Sequence, residues 1–232
     1  MKEKTKQETK QKMEVDYKKV LKDKEINLLI EKGNRNLEVL GYTNHSQGHA
    51  TLVAERAAML LKELGYDAHT IELAKIAGYM HDIGNSINRK DHAHTGAIMA
   101  YQKLKELGMP LEDAITVAAA IGQHDESTGT AVDAVSAALI IADKTDVRRN
   151  RVQNKVKATF DVHDRVNYAA LSTKVTVNQE KKVIGLEMEL DDTICSIMDY
   201  FEIFLERMRM CKRATQILGY EFKFWANGHK VC

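Results

Sequence analysis

The sequence predicts a mainly α-helical protein that ends in a smaller α+β unit. Two observations carry that prediction: a single proline in 232 residues, and apolar residues recurring with helical period over most of the chain before Val166. A third is the change to two-residue alternation beyond that point. Three segments follow: a polar, disordered stretch at 1–16, a helical metal-binding domain at 17–165 and an α+β subdomain at 166–232.

The elements can be taken in order. Asp23 can cap a helix that runs to about Leu40, with Gly41 as its stop. Val53, Ala57, Leu60 and Leu64 share one face of a helix from about His49 that Gly65 ends. Thr70 opens the run to His81, in which Leu73, Ala77 and Met80 form a stripe, and Gly84 lies just past its end. His94 to Leu107 reads as the next helix, closed by Gly108, and Pro110 suits the first helical position of another, with Ala114, Val117, Ala118 and Ile121 on its face. The run AVSAALIIADK is a strongly apolar helix, expected to resume after a break through Arg148 to Ala158.

LSTKVTVNQEKKVIGLEMEL alternates on both sides of a polar NQEKK turn, so a hairpin is expected, with Val175 and Val177 in one strand and Leu186, Met188 and Leu190 in the other. Ile197, Phe201, Leu205 and Met208 share a face of a long helix from about Ile194 to Leu218, and YEFKFWA reads as a closing strand.

Composition narrows the function classes. A net charge of +1 gives no general attraction to nucleic acid or anionic membrane. The three cysteines, Cys195, Cys211 and Cys232, are scattered and include no CxxC pair, which argues against a disulfide framework and for a reducing, cytoplasmic setting. The mixed-charge start MKEKTKQETKQKMEV has no apolar core of the export type, and no membrane span is expected.

The chemistry lies at the ends of the apolar helices. His81 and Asp82 stand side by side at the end of AKIAGYMHDIG, where an unpaired ionisable pair is costly and a divalent ion would neutralise the cost. His49 continues the Val53 face of its helix, His124 lies on the Val117 and Ile121 face, and Asp143 directly follows AALIIA. Separate helices that aim imidazoles and carboxylates into one interior are how helical proteins build metal sites.

The order His49, then His81-Asp82, then Asp143 resembles the HD superfamily of metal-dependent phosphohydrolases. HATLVAERAAMLL is similar to that family's first-ligand helix and GYMHDIG to its signature, over roughly residues 35–160. His92 with Gly96, followed by His124, resembles the multinuclear branch, although periodicity does not separate His92 from His94. The resemblance implies His49, His81, Asp82, His92, His124 and Asp143 as ligands to two divalent metal ions, of Mn, Fe, Zn, Mg or Ni, bridged by Asp82. The activity it implies is hydrolysis of a nucleotide or other small phosphate ester by hydroxide formed between the metals, with Asp82 as a catalytic group; His45 is a further catalytic candidate, with Asp125 and Glu126 as alternatives for serving the leaving oxygen.

Two departures bear on the substrate. Many members carry a lysine after the HDxG element where this chain has Asn85, which is then a substrate contact of a different kind. The sequence Gln123-His124-Asp125 with no GYP after it departs from members that degrade cyclic dinucleotides.

Lys144, Arg148 and Arg151 would form a cationic row for phosphate if the helix continued beyond Asp143. Lys144 and Arg148 are the stronger candidates of the three; the other reading is a solvated face balanced by Asp146. His45 lies one turn before His49, either in the helix or in a loop ahead of it. The second dyad, His163-Asp164, reads as structural, and His69 and His229 are placed in turns. Two other functions compete: a di-iron oxygenase of the same fold that cleaves a C–C or C–P bond, and a non-catalytic sensing or dimerisation protein with a structural metal. A small-molecule phosphate ester is the expected partner, and a homodimer is left open.

Overall fold

The structure, a computed structural model, describes residues 15–232. Among these residues the chain forms nine α-helices and a small four-stranded sheet, the mainly α architecture with a C-terminal α+β portion that the periodicities predict. The expected N-terminal segment at 1–16 falls mostly outside the described residues. Its last two members are ordered, for Val15 is buried and the Asp16 carboxylate caps α1 (Tyr17–Lys22).

Helix boundaries follow the polar punctuation closely. Asp23 accepts hydrogen bonds from the Glu25 and Ile26 amides and starts α2 (Lys24–Val39), and Gly41 takes the left-handed φ of 80° that ends it. α3 (Gln47–Glu63) ends at Gly65 with the same geometry. α4 (Ala68–Met80) starts two residues before Thr70 because Asp67 is the cap, its side chain accepting from the His69 and Thr70 amides. His69 therefore lies in a helix and not in a turn. α5 (His92–Glu106) opens at His92 and not at His94. α6 (Leu111–Gly122) has Pro110 one position earlier than expected, at its cap.

α7 (Ala134–Lys144) is buried on nearly every side, from Val135 through Ala142, and packs against α3, α4 and the C-terminal helix. It stops at Thr145. The expected continuation to Ala158 is absent: the chain instead makes two short 3-10 turns, Arg149–Arg151 and Lys157–Thr159. Beyond Thr145, Arg148 and Arg151 turn back to hold the Asp146 carboxylate, an arrangement that a continuous helix would not allow between residues two apart.

α8 (Val162–Ala169) spans the 165/166 division and runs straight into β1 (Ala170–Asn178). β1 pairs antiparallel with β2 (Val183–Leu190) as the expected hairpin. α9 (Ile197–Ile217) opens at a Ser196–Asp199 capping box, three residues later than Ile194. It carries the chain over to β3 (Glu221–Ala226), which joins β2 in parallel, and His229 lies in a two-residue β4 (His229–Lys230) instead of a turn.

Ile184, Leu186 and Met188 face the core beside Phe222, Phe224 and Ala226, their register partners. Against them α9 presents Tyr200 and Phe204, with the Tyr200 and Phe224 rings stacked 5.4 Å apart. One continuous hydrophobic cluster runs from Val15 to Ala226, so the sheet and α9 share a core with the helices that carry the histidines.

Candidate metal centre

Five helices and the turns after them bring the predicted ligands to one buried point. α3 supplies His49, which stays on the buried stripe four residues before Val53. Gly78 lets α4 approach α3 closely, since a Cβ there would stand 2.7 Å from the Ala54 Cα. That contact sets His81, the C-cap of α4, beside His49. Asp82 follows with φ −99° and ψ 5°, the bridge-region geometry of a turn, at the entry of the 3-10 turn Ile83–Ser86. α5 begins on His92, while His124 lies just beyond α6 and Asp143 sits in the last turn of α7.

The four imidazoles share one orientation. His49 Nδ1 donates to Asp146 Oδ2 at 2.7 Å, His81 Nδ1 to the Gly78 carbonyl at 2.8 Å, His92 Nδ1 to the Arg89 carbonyl at 3.0 Å, and His124 Nδ1 to the Ile121 carbonyl at 2.7 Å. With every Nδ1 committed as a donor, every Nε2 is left as a lone pair, and all four point inward. The Nε2 atoms of His49 and His81 are 3.3 Å apart, and those of His92 and His124 are 3.1 Å apart. Lone pairs facing at that distance repel, and a cation between them removes the repulsion.

Asp82 divides the cluster. Its Oδ2 lies 3.2 Å from His81 Nε2 and 3.7 Å from His49 Nε2, whereas its Oδ1 lies 3.6 Å from His92 Nε2 and 3.7 Å from His124 Nε2. Asp143 Oδ1 joins the first group at 3.3 Å from His49 Nε2 and 3.7 Å from His81 Nε2. His49, His81 and Asp82 form one set with ligand geometry; Asp82, His92 and His124 form another, and His81, His124 and Asp143 a third that links them. A nitrogen-rich donor set with two carboxylates suits a divalent transition metal.

The charges agree with that chemistry. Burial alone would raise the Asp82 and Asp143 carboxyls, yet His81 and His45 around the first, and Lys144 and His49 around the second, hold both well below the usual carboxylate range. Burial, with His124 next to it, pushes His92 down to about 3, and burial also lowers His124. The centre therefore keeps two anionic carboxylates, with the His92 and His124 rings neutral, while Asp82 and Asp143 outweigh burial at His81 and raise it.

The structure separates His92 from His94: the former is buried in the cluster and the latter exposed. His45 precedes α3, whose cap is Ser46, so it is a loop residue; its ring still stands edge-on to His49 at 5.4 Å, with Nε2 4.0 Å from Asp82 Oδ2. Lys144 is buried at the cavity wall, 2.8 Å from Asp143 Oδ2.

Asn85 and Arg148 point elsewhere. Asn85 is buried and donates its Nδ2 to Asp82 Oδ1 at 2.7 Å, so it orients that carboxylate and does not line the cavity. Arg148 pairs with Asp146 because the chain leaves the helix at Thr145. His163 is exposed on the rim of a neighbouring groove, away from the cluster.

Asp146 was missed as a functional residue. It reads as surface charge in the sequence, but it is fully buried, fixes His49 Nδ1 and is itself held by Arg148 and Arg151. The available signal was its i+3 spacing from Asp143 at a helix end. Arg89 and Arg207, which line the cavity, were also missed. Arg207 lies far from the dyad in sequence and carries no spacing signal, whereas Arg89 stands between the dyad and His92, a position that was the available signal.

Comparison with known proteins places this geometry. The chain is 26% identical over 221 residues to an uncharacterised protein of Methanocaldococcus jannaschii, covering 83% of this chain and 82% of that one. It is 29% identical over 157 residues to ribonuclease Y of Fervidobacterium nodosum and 24% identical over 163 residues to ribonuclease Y of Thermosipho melanesiensis. These alignments take in 65% and 68% of this chain but only 29% and 31% of those enzymes, so the chain spans about a third of their length. Among solved structures, a predicted HD superfamily hydrolase from an uncultured Thermotogales bacterium matches with a TM-score of 0.42 and 24% identity, over 53% of this chain and 67% of that one. The HD domain matches residues 47–203, which hold all six of the clustered residues predicted as ligands, and the chain belongs to the HD domain family.

Proposed function

We propose that the chain is a metal-dependent phosphohydrolase acting on a nucleotide or another small phosphate ester. One observation carries the reading: four inward lone pairs and two carboxylates, parted by the two oxygens of Asp82 into two groups. His49, His81, Asp82 and Asp143 would hold one divalent ion, and Asp82, His92 and His124 a second. Such ions supply Lewis acidity toward water and toward a phosphoryl oxygen.

The chain's own residues supply the rest. His45 donates Nδ1 to the Thr43 carbonyl at 2.6 Å, which leaves Nε2 as an acceptor on the cavity wall. Burial, against the pull of Asp82, keeps this ring well below the usual histidine range, so it is a neutral group that can orient water or accept a proton at Nε2. Lys144 Nζ adds positive charge next to Asp143, where phosphate charge would develop. Asn85 fixes the rotation of Asp82 and thereby the division of its two oxygens.

Partner and compartment follow the same reading. A small phosphate ester is the proposed partner. The three cysteines are unpaired, which suits a reducing cytoplasm, and no helix of the described residues is long and apolar enough to cross a membrane.

The test is phosphate release under nitrogen by manganese-loaded protein, over nucleotides, inositol phosphates and sugar phosphates, with RNA included because of the name its relatives carry. Release from at least one ester, abolished by chelation and restored by metal, is the expected result. Oxygen consumption by iron-loaded protein without phosphate release would replace the reading with the oxygenase alternative. Stoichiometric metal with neither activity would leave a structural centre.

A further inference from the structure

The cavity at the metal centre shares part of its wall with a larger groove. The cavity at the centre holds ≈ 20 Å³, room for about one water, while the groove beside it holds ≈ 530 Å³. His45, Arg89 and Arg207 line both. Anything that reaches from the groove to the metals therefore passes two guanidinium groups.

Those two groups come from different parts of the fold. Arg89 precedes α5, within the part of the chain that supplies the ligands. Arg207 is on α9, beyond residue 203 where the family match ends. It reaches the shared wall because α9 packs along α7, whose last turn carries Asp143 and Lys144.

Both groups are available to an anion. Among the described residues no carboxylate lies within ion-pair distance of Arg89. Its Nη1 lies 3.2 Å from His92 Nε2 and 3.5 Å from Asn85 Oδ1, and its guanidinium stands 5.4 Å from the centre of the Tyr42 ring. The His92 contact would be given up once that lone pair served a metal. Arg207 donates Nε to Glu126 Oε1 at 2.7 Å and lies over the Phe204 ring at 4.3 Å, with no hydrogen bond from its terminal nitrogens among the described residues. Glu126 Oε1 is also 3.5 Å from Lys144 Nζ, so one carboxylate occupies two cations where a phosphate would compete for them.

We propose that Arg89 and Arg207 form a guanidinium pair that grips the terminal phosphate of a phosphomonoester end-on, with its organic part in the groove, which makes α9 part of the active site. This rests on the phosphohydrolase reading. The charge favours a monoester, since its terminal group carries close to two negative charges against one for a diester, and planar guanidinium groups match its oxygens. The space favours it too. The ≈ 20 Å³ centre is too small for the ester itself, so the terminal phosphate would stand at the shared wall with its one arm in the groove, whereas an internal diester needs an exit for each of its two arms.

The test is calorimetric binding of inorganic phosphate and of dimethyl phosphate to manganese-loaded protein, with metal content measured alongside. Wild type is expected to prefer phosphate. Arg207→Gln should weaken phosphate binding about tenfold, the loss of one charge-assisted hydrogen-bonding group, with metal content unchanged and little effect on dimethyl phosphate. Glu126→Gln should tighten phosphate binding several-fold, because Arg207 and Lys144 lose their internal competitor. A purely structural role for Arg207 would weaken binding in both variants. If Arg207→Gln fails to fold, Arg207→Lys, which keeps the charge and loses the planar fork, and Glu126→Gln carry the test.

Phosphate binding equal to wild type in the Arg207 variants overturns the proposal. So does a wild type that binds phosphate no better than dimethyl phosphate, or does not bind it. The two readings fail separately: Arg207-dependent phosphate binding with no ester turned over discards the hydrolase and keeps the clamp, while turnover with Arg207-independent binding does the reverse.

Discussion

The two halves of the metal centre are backed by different chemistry. On the side of His49 and His81, one ring is held by the buried carboxylate of Asp146, which two arginines hold in turn. On the side of His92 and His124, both rings donate to main-chain carbonyls, with the partly exposed Asp125 carboxylate 3.6 Å from His92 Nδ1. A carboxylate behind an imidazole makes it more basic and a better donor. The first half also has Asp143, a second anion that the other half lacks. Similar histidines thus stand on unequal support, the carboxylate behind His49 being fully buried.

The largest expected effect comes from the residue the halves share. Asp82→Ala removes the one carboxylate that faces both, so bound metal should fall from two equivalents to none and turnover to background, as read by metal analysis of the purified variant. Loss of a single equivalent would mean that the halves are independent.

Asp146→Asn should act on one half only. Metal affinity is expected to drop by roughly 10–100-fold at the first half, with the second step of a metal titration left in place. Equal shifts in both steps would dissolve the contrast.

The smallest effect is the pH response of the metal-free protein. His92 lies at about 3 when folded, against 6.5 as its ordinary value, chiefly because it is buried. A depressed histidine contributes stability that is present above about pH 6.5 and is lost as pH falls toward 3, because the unfolded chain takes up the proton first. His45 and His124 are lowered by burial and act in the same direction. His81 acts in the opposite one, since the pull of Asp82 and Asp143 outweighs its burial and raises it. Thermal melting of chelated protein should show a decline between pH 7 and pH 5 on the order of 1–2 kcal/mol. A flat profile would mean that the second half is not held neutral.

How much of this was legible in the sequence depends on the range of the interactions. The helices and the clustering of the predicted ligands could be read because caps, stops and apolar stripes are local, and His49, His81, Asp82, His124 and Asp143 each continue such a stripe or end one. Asp146 reads as surface charge because its buried partner His49 lies 97 residues away, a contact made only once the chain leaves the helix at Thr145. Arg207 carried no signal at all, since it reaches the shared wall only through the packing of α9 on α7. Asn85 was legible as a departure from the family pattern. That it turns toward Asp82 and away from the cavity was not, because a side-chain rotamer leaves no trace in spacing.

Two glycines have a consequence of their own. A Cβ on Gly84 would stand 2.0 Å from the His92 carbonyl oxygen, and one on Gly96 would stand 3.2 Å from the Gly84 nitrogen, so the turn after the dyad rests backbone on backbone against α5. This contact joins the segment that carries His81 and Asp82 to the one that carries His92, with no side chain between them to flex. It therefore works as a ruler: the interval between the halves is a main-chain dimension, and the spacing of any two ions held there is inherited from it.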